Sequence, residues 1–377
     1  MKRILTITII LSLLFTTSHI ANAQKFEKVN TRITNIHREN GLSFDGQDSN
    51  FRISLKSSWS CISGDGTVLF NYRKMYKSFR SSDKPVIVQG LDSNIEFKFQ
   101  MLNHQGNQFV YTTEEFINNT WEYTLYFLDV LKNQIVAEYD PIEYGIFPFD
   151  ISKDFSTFAY CSGPSIVVVD KTSDTYDITN KVPVGEKYLV NLFLSKSGNR
   201  LIYQPSETSG YVRSFVYYTD RISNSYWTEK KEIPVPTYPF GPTYALNILD
   251  IANDGHTLLF RGESGFGIME YQNEQWGEPR IIISYNNNTW NMETTSISDD
   301  GVHILAQQYV EDSDYFGAHL HNLLLYSKDS SGKWQEQQVN PNGVYCVGDA
   351  LMSRDGSTIV WTPSKRISGH PAWDAMR

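Results

Sequence analysis

Apolar and polar positions alternate in short runs along almost the whole chain, and one kind of turn interrupts the runs at intervals. "TSISDDGVHILAQQ", residues 294–307, shows the unit: two apolar-leaning runs flank Ser298-Asp299-Asp300-Gly301. Alternation with period two predicts half-buried strands, and a Gly-containing turn between two such runs predicts an antiparallel hairpin. "LFLSKSGNRLIYQ" at 192–204 and "ALMSRDGSTIVWT" at 350–362 have the same form. No segment carries the 3.6-residue period of a helix.

The turn recurs seven times: Ser63 to Gly66, Asn103 to Gly106, Ser152 to Phe155, Ser195 to Gly198, Ala252 to Gly255, Ser298 to Gly301 and Ser353 to Gly356. Spacings between the last positions are 40, 49, 43, 57, 46 and 55 residues. The residue before each turn is apolar (Ile62, Leu102, Ile151, Leu194, Ile251, Ile297, Met352), and so is the third residue after it (Leu69, Phe109, Phe158, Leu201, Leu258, Ile304, Ile359). Chance does not give that at 40% apolar composition. Ser and Asp accept hydrogen bonds from nearby backbone N–H groups, and Gly accepts the positive φ of a tight hairpin. Phe155 stands where six turns have Gly, which predicts a different turn there.

Two weaker strand signals come after each hairpin, such as "HNLLLYSKD" and "KWQEQQVN" after the sixth turn. Each unit therefore reads as four strands in a length typical of one propeller blade. The fold class expected is all-β: a seven-bladed β-propeller of four-stranded antiparallel blades, one domain over 24–377. A sandwich or solenoid is the alternative, but radial closure leaves fewer exposed strand edges. Only 21 residues remain after the last turn, enough for two inner strands. Either the segment "KFEKVNTRITNIHRENGLSFD" supplies the outer strands and pairs the two chain ends, or the last blade is incomplete.

Composition adds an address. Lys2 and Arg3, an apolar run from Ile4 to Phe15, and Ala21-Asn22-Ala23 read as a cleavable signal peptide over 1–23, too short to span a bilayer. Periplasmic or secreted localisation is expected. Cleavage removes two cations and takes the net charge from −9 to −11. Such acidity argues against nucleic acid and anionic lipid as partners. No later run suggests membrane insertion, and the chain reads as a monomer. Cys61, Cys161 and Cys346 are too few for a disulfide scaffold and read as thiols acting as small apolar groups.

The apolar-Ser-x-Asp-Gly-x-x-apolar signature resembles the TolB-type, WD-like β-propeller repeat of exported bacterial proteins. The resemblance covers the mature chain as a repeat pattern. It implies a periplasmic or secreted binding module.

Aromatics precede the inner strands: Tyr144 and Phe147, Tyr188, Tyr238, Phe240 and Tyr244, Tyr285 and Trp290, and Tyr345. On a propeller they gather at the mouth opposite the turns. Loops after second strands add Glu114, Glu115, Glu207, Glu263, Glu311, Asp312 and Asp314. Aromatics beside carboxylates suit a protein, peptide or glycan ligand. Packing between blades, with the acids merely solvated, is the other reading. Asp150 and Asp250 occupy equivalent inner-strand positions, which suits either a propeller glycosidase pair or structural acids. The first function expected is a non-catalytic binding propeller; the second is a polysaccharide-acting hydrolase or lyase. There is no Gly-x-Ser-x-Gly elbow, no His-Glu-x-x-His and no phosphate loop. His104, His256 and His303 read as surface residues beside separate turns. "DSDYFGAHLHN" at 312–322 reads as a polar loop rather than a metal site. No cofactor or metal is expected.

Overall fold

The computed structural model describes residues 24–28, 32–37, 43–47, 60–71, 74–77, 86–87, 100–117, 120–143, 148–173, 175–184, 188–206, 215–234, 247–262, 265–284, 292–309, 320–347, 350–361 and 363–368. The expected signal peptide lies outside them. The described chain is all β except for one 3₁₀ turn, Asn253–Gly255. No helix among the described residues is long and apolar enough to cross a membrane.

The strands form seven sheets, and each carries one of the turns. The second to sixth are β-propeller blades laid down by consecutive antiparallel strands. In the third, Phe149–Ile151, Thr157–Ser162, Ser165–Thr172 and Thr175–Pro183 pair in chain order. In the fourth, the outermost strand is split, and Tyr226–Trp227 and Lys231–Ile233 both pair with Val216–Ser223. The two remaining sheets depart from this form. The first has strands of only two to four residues, from Ser60–Ile62 to Val86–Ile87. The seventh takes Leu351–Met352 and Thr358–Trp361 from one end of the chain and Arg32–His37 and Ser43–Gln47 from the other. The expectation of seven equal blades is corrected to five, because the strands of the first sheet are cut short and the seventh borrows its outer strands from the other end of the chain.

The expected pairing of chain ends is present. Arg32 lies opposite Trp361 and Asn35 opposite Thr358. Gln24–Lys28 pairs with Pro363–Ser368, which joins the sixth sheet through Val344–Val347. Each end thus satisfies backbone groups the other leaves open.

The turns hold themselves and one another. Ser63 Oγ donates to Asp65 Oδ1 at 2.6 Å and accepts Val68 N–H at 2.9 Å; Asp65 Oδ1 accepts Thr67 N–H at 3.0 Å. The same set recurs at Ser152 and at Ser353. Phe155 does not change the turn: its φ is 60°, and its N–H donates to Ser152 O at 3.0 Å as Gly66 N–H does to Ser63 O. Its ring is 1% exposed within the cluster of Phe127, Phe158 and Tyr176, so burial offsets the left-handed backbone. In the fifth turn Ala252 has no hydroxyl to engage Asp254, and that carboxylate accepts Ser197 N–H of the fourth turn at 2.9 Å instead.

Neighbouring turns are joined by backbone bonds: Asp65 N–H to His104 O, His104 N–H to Lys153 O, Lys153 N–H to Lys196 O, Asn253 N–H to Asp299 O and Asp299 N–H to Arg354 O. Asp355 N–H then donates to Gly64 O at 2.8 Å, joining the seventh turn to the first. Apolar clusters fill the spaces between successive sheets. One packs Val110 and Phe127 of the second against Phe149 and Phe158 of the third; another packs Leu305 and Leu323 of the sixth against Met352 and Trp361 of the seventh. The result is a ring of sheets around a central channel, with all seven turns at one mouth.

Candidate functional site: the turn-face mouth of the channel

The repeats differ at the second position of the turn: Gly64, His104, Lys153, Lys196, Asn253, Asp299 and Arg354, of which Asn253 turns its amide under Gly301 and donates to Thr257 Oγ1. All but Asn253 line a cavity of about 230 Å³ at this mouth. Asp150 joins them from below, and Met101, Ile151, Leu194, Ile251 and Leu351 provide apolar walls.

The two inner-strand acids bridge blades. Asp150 Oδ1 accepts Ile151 N–H at 2.8 Å, and Oδ2 accepts Leu194 N–H of the next blade's inner strand at 2.7 Å. Asp250 does the same with Ile251 N–H at 2.8 Å and Ile297 N–H at 3.2 Å. Arg354 reaches over the sixth turn and places Nη1 2.8 Å from both oxygens of Asp250. Burial pushes the Asp150 carboxyl up to about 6, against the opposing pull of its two backbone donors and of Arg354. Asp250 beside Arg354 raises the guanidinium further above its ordinary value. Lys196 forms an ion pair with Asp299, yet burial and nearby Arg354 lower its ammonium from the ordinary value.

Two donors in this cavity are uncommitted. Nε and Nη2 of Arg354 meet no acceptor among the described residues, and 41% of the Arg354 side chain remains exposed. The Lys153 side chain is exposed and has no partner among the described residues; only its backbone is bonded.

The aromatic mouth expected on the opposite face falls mostly outside the described residues: Tyr144, Phe147, Tyr238, Phe240, Tyr244, Tyr285, Trp290, Glu207 and Glu263 all do. So do Glu311, Asp312 and Asp314. Tyr188 begins an inner strand, Tyr188–Leu194. Tyr345 is half-buried on Val344–Val347, a strand that pairs with Leu320–Lys328 and lies away from the inner strand of its sheet. Glu114 and Glu115 are strand residues rather than loop residues, because Gln108–Ile117 continues past them, opposite Tyr123 and Glu122.

The histidine reading needs correction. His303 is 1% exposed, with Nδ1 2.7 Å from Ser327 Oγ, because its ring packs under Gly356. His104 lines the cavity against Gly64, where a Cβ would come within 2.4 Å of its ring. His256 alone of the three is exposed. In the 312–322 segment, His321 is buried against Tyr309. No cluster of three metal-ligating side chains occurs among the described residues. Cys61, Cys161 and Cys346 form no disulfide among the described residues.

These features define a β-propeller with a charged cavity at its turn face. Comparison with family models and with curated proteins finds no match. Among solved structures, a protein from Desulfotomaculum acetoxidans DSM 771 described as functionally unknown aligns over 91% of this chain and 100% of its own, at 12% identity and a TM-score of 0.51. A structure from a study of two prolyl endopeptidases aligns over 92% of this chain at 11% identity and a TM-score of 0.50. The chain spans 49% of the endopeptidase chain's length. The β-propeller domain of Cps50 (Swd1) from Myceliophteria thermophila aligns over 73% of this chain and 98% of its own at 9% identity, with a TM-score of 0.43. The likeness is one of fold.

Proposed function

We propose that this chain is an exported, non-catalytic binding propeller of the TolB-like kind. The observation that carries the reading is the engagement of the channel carboxylates. Asp150 and Asp250 each accept one N–H from their own strand and one from the neighbouring blade. A hydrolytic pair needs one carboxyl free to give a proton and another free to attack or to activate water. Here both serve as bridges between blades, and Asp250 is further neutralised by Arg354.

The aromatic and acidic residues expected on the opposite face, Tyr238 and Trp290 foremost, are the proposed contacts for a protein, peptide or glycan partner. Hydrolase or lyase action on a polysaccharide is the second reading, favoured by one observation: the Asp150 carboxyl at about 6 lies in the range of a general acid. A panel of immobilised peptides and glycans, read for both retention and turnover, separates the two. Retention without product supports binding. Product formation that occurs in wild type and disappears in Asp150→Asn overturns it. Unchanged retention by the Tyr238→Ala/Trp290→Ala double variant removes the opposite face from the account.

A further inference from the structure

We propose that the turn-face cavity binds a carboxylate carried on a small apolar body, such as the C-terminal residue of an extended peptide. The inference rests on the binding reading and assigns to it a second site, at the turn face, apart from the expected aromatic mouth.

The carboxylates of this cavity are already spent. Every carboxylate here is engaged: Asp150 by two backbone amides, Asp250 by two amides and Arg354, and Asp299 by Lys196. The cationic donors without a partner among the described residues are Nε and Nη2 of Arg354 and Nζ of Lys153; His104 Nδ1, which can donate or accept, is also without one. A cavity whose carboxylates are occupied and whose guanidinium edge is open selects a ligand that brings acceptors. Two adjacent guanidinium N–H groups match the two oxygens of a planar carboxylate, and Asp250 already fixes the guanidinium's orientation. Lys153, on the third turn, lines the same cavity and adds a point charge.

The walls set the rest of the ligand. Met101, Leu194, Ile251 and Leu351 offer an apolar surface for the body of the ligand beside the charged groups. The volume, about 230 Å³, is below the range of about 300–1,000 Å³ for drug-sized ligands, so one residue-sized group fills it. The cavity opens at the turn mouth, where Lys153 is exposed, so the remainder of a peptide can extend into solvent.

The test uses the mature protein and calorimetric titration with four probes: N-acetyl-Ala-Ala-Leu as the free acid, the same peptide as its C-terminal amide, 4-methylvalerate, and inorganic phosphate. The free-acid peptide is expected to bind at least about tenfold more tightly than the amide, since amidation removes the charge that both donors read. Comparable affinity for 4-methylvalerate assigns the site to small free acids, and much weaker binding assigns it to peptide ends. Lys153→Gln, at an exposed position outside the core, is expected to fold normally and to weaken the acid by about tenfold. Arg354→Lys retains a charge beside Asp250 and is expected to abolish the preference for acid over amide. Equal binding of acid and amide, an unaltered Lys153→Gln variant, or phosphate binding more tightly than the peptide overturns the assignment. Recovery of cleaved peptide overturns the binding reading itself, a result distinct from failure of this site.

Discussion

Asp150 couples the channel to pH. Its carboxyl titrates near 6 in the folded protein against an ordinary value of 3.8, because burial disfavours the charged form. The stability it contributes is therefore complete below about pH 4 and is lost as pH rises through 6. The difference corresponds to about 2–3 kcal/mol. Asp150→Asn removes this dependence. Its deficit relative to wild type is expected to shrink by about that amount between pH 4 and pH 7, as read by urea denaturation at each pH. Carboxylates whose values are lowered, such as Asp65 and Asp170, change stability in the opposite sense, and the comparison at one position removes them. Phe155 gives a second residue-scale prediction. Phe155→Gly relieves about 1 kcal/mol of left-handed backbone but removes a fully buried ring, for a net loss of about 2–4 kcal/mol in the same measurement. At this scale the sequence is legible for the turn residues and misleading for Phe155, since a buried aromatic can hold a backbone that propensity assigns to Gly. The lining of the cavity is hidden in the linear pattern, although four of seven second-position residues are charged (Lys153, Lys196, Asp299 and Arg354). Along the chain that position looks like filler between Ser and Asp, whereas ring geometry brings all but Asn253 to the cavity.

At the scale of the element, the turn and its neighbour form one packing unit. A Cβ on Gly356 would meet Ser298 Cβ at 2.9 Å and the His303 ring at 2.8 Å; one on Gly332 would meet nothing within 4 Å. Both have positive φ, 70° and 81°. Gly332→Ala therefore isolates the backbone penalty, about 1 kcal/mol, while Gly356→Ala adds a clash between blades and is expected to cost at least about 2 kcal/mol more. Equal losses in thermal or urea unfolding would show that the repeated Gly serves φ alone. The hairpins are legible because each carries its signal within about a dozen residues. The split outer strands of the fourth and fifth blades are not: Gln275–Trp276 and Arg280–Ser284 are short and gain their place from Gly265–Gln272 beside them.

At the scale of the molecule, the ring is joined by long-range contacts: the paired chain ends, the Asp355-to-Gly64 bond and the Asp150 and Asp250 bridges. Deleting residues 24–47 strips two outer strands from the seventh sheet, and cooperative unfolding is expected to give way to a broad transition at lower temperature. The pairing of ends is only half legible, because the short stretch after the last turn fits paired ends and an incomplete last blade alike. The number of full blades is not, because the repeat signature marks the turn and carries no information on the outer strands of its blade. Above all, the channel carboxylates hold the blades together, and amide hydrogen exchange at Leu194 and Ile297 tests this most directly. Asp150→Asn is expected to lower protection at Leu194 and leave Ile297 unaltered, and Asp250→Asn to do the reverse. Unchanged protection at both amides in both variants would contradict the account and return the two acids to the catalytic reading.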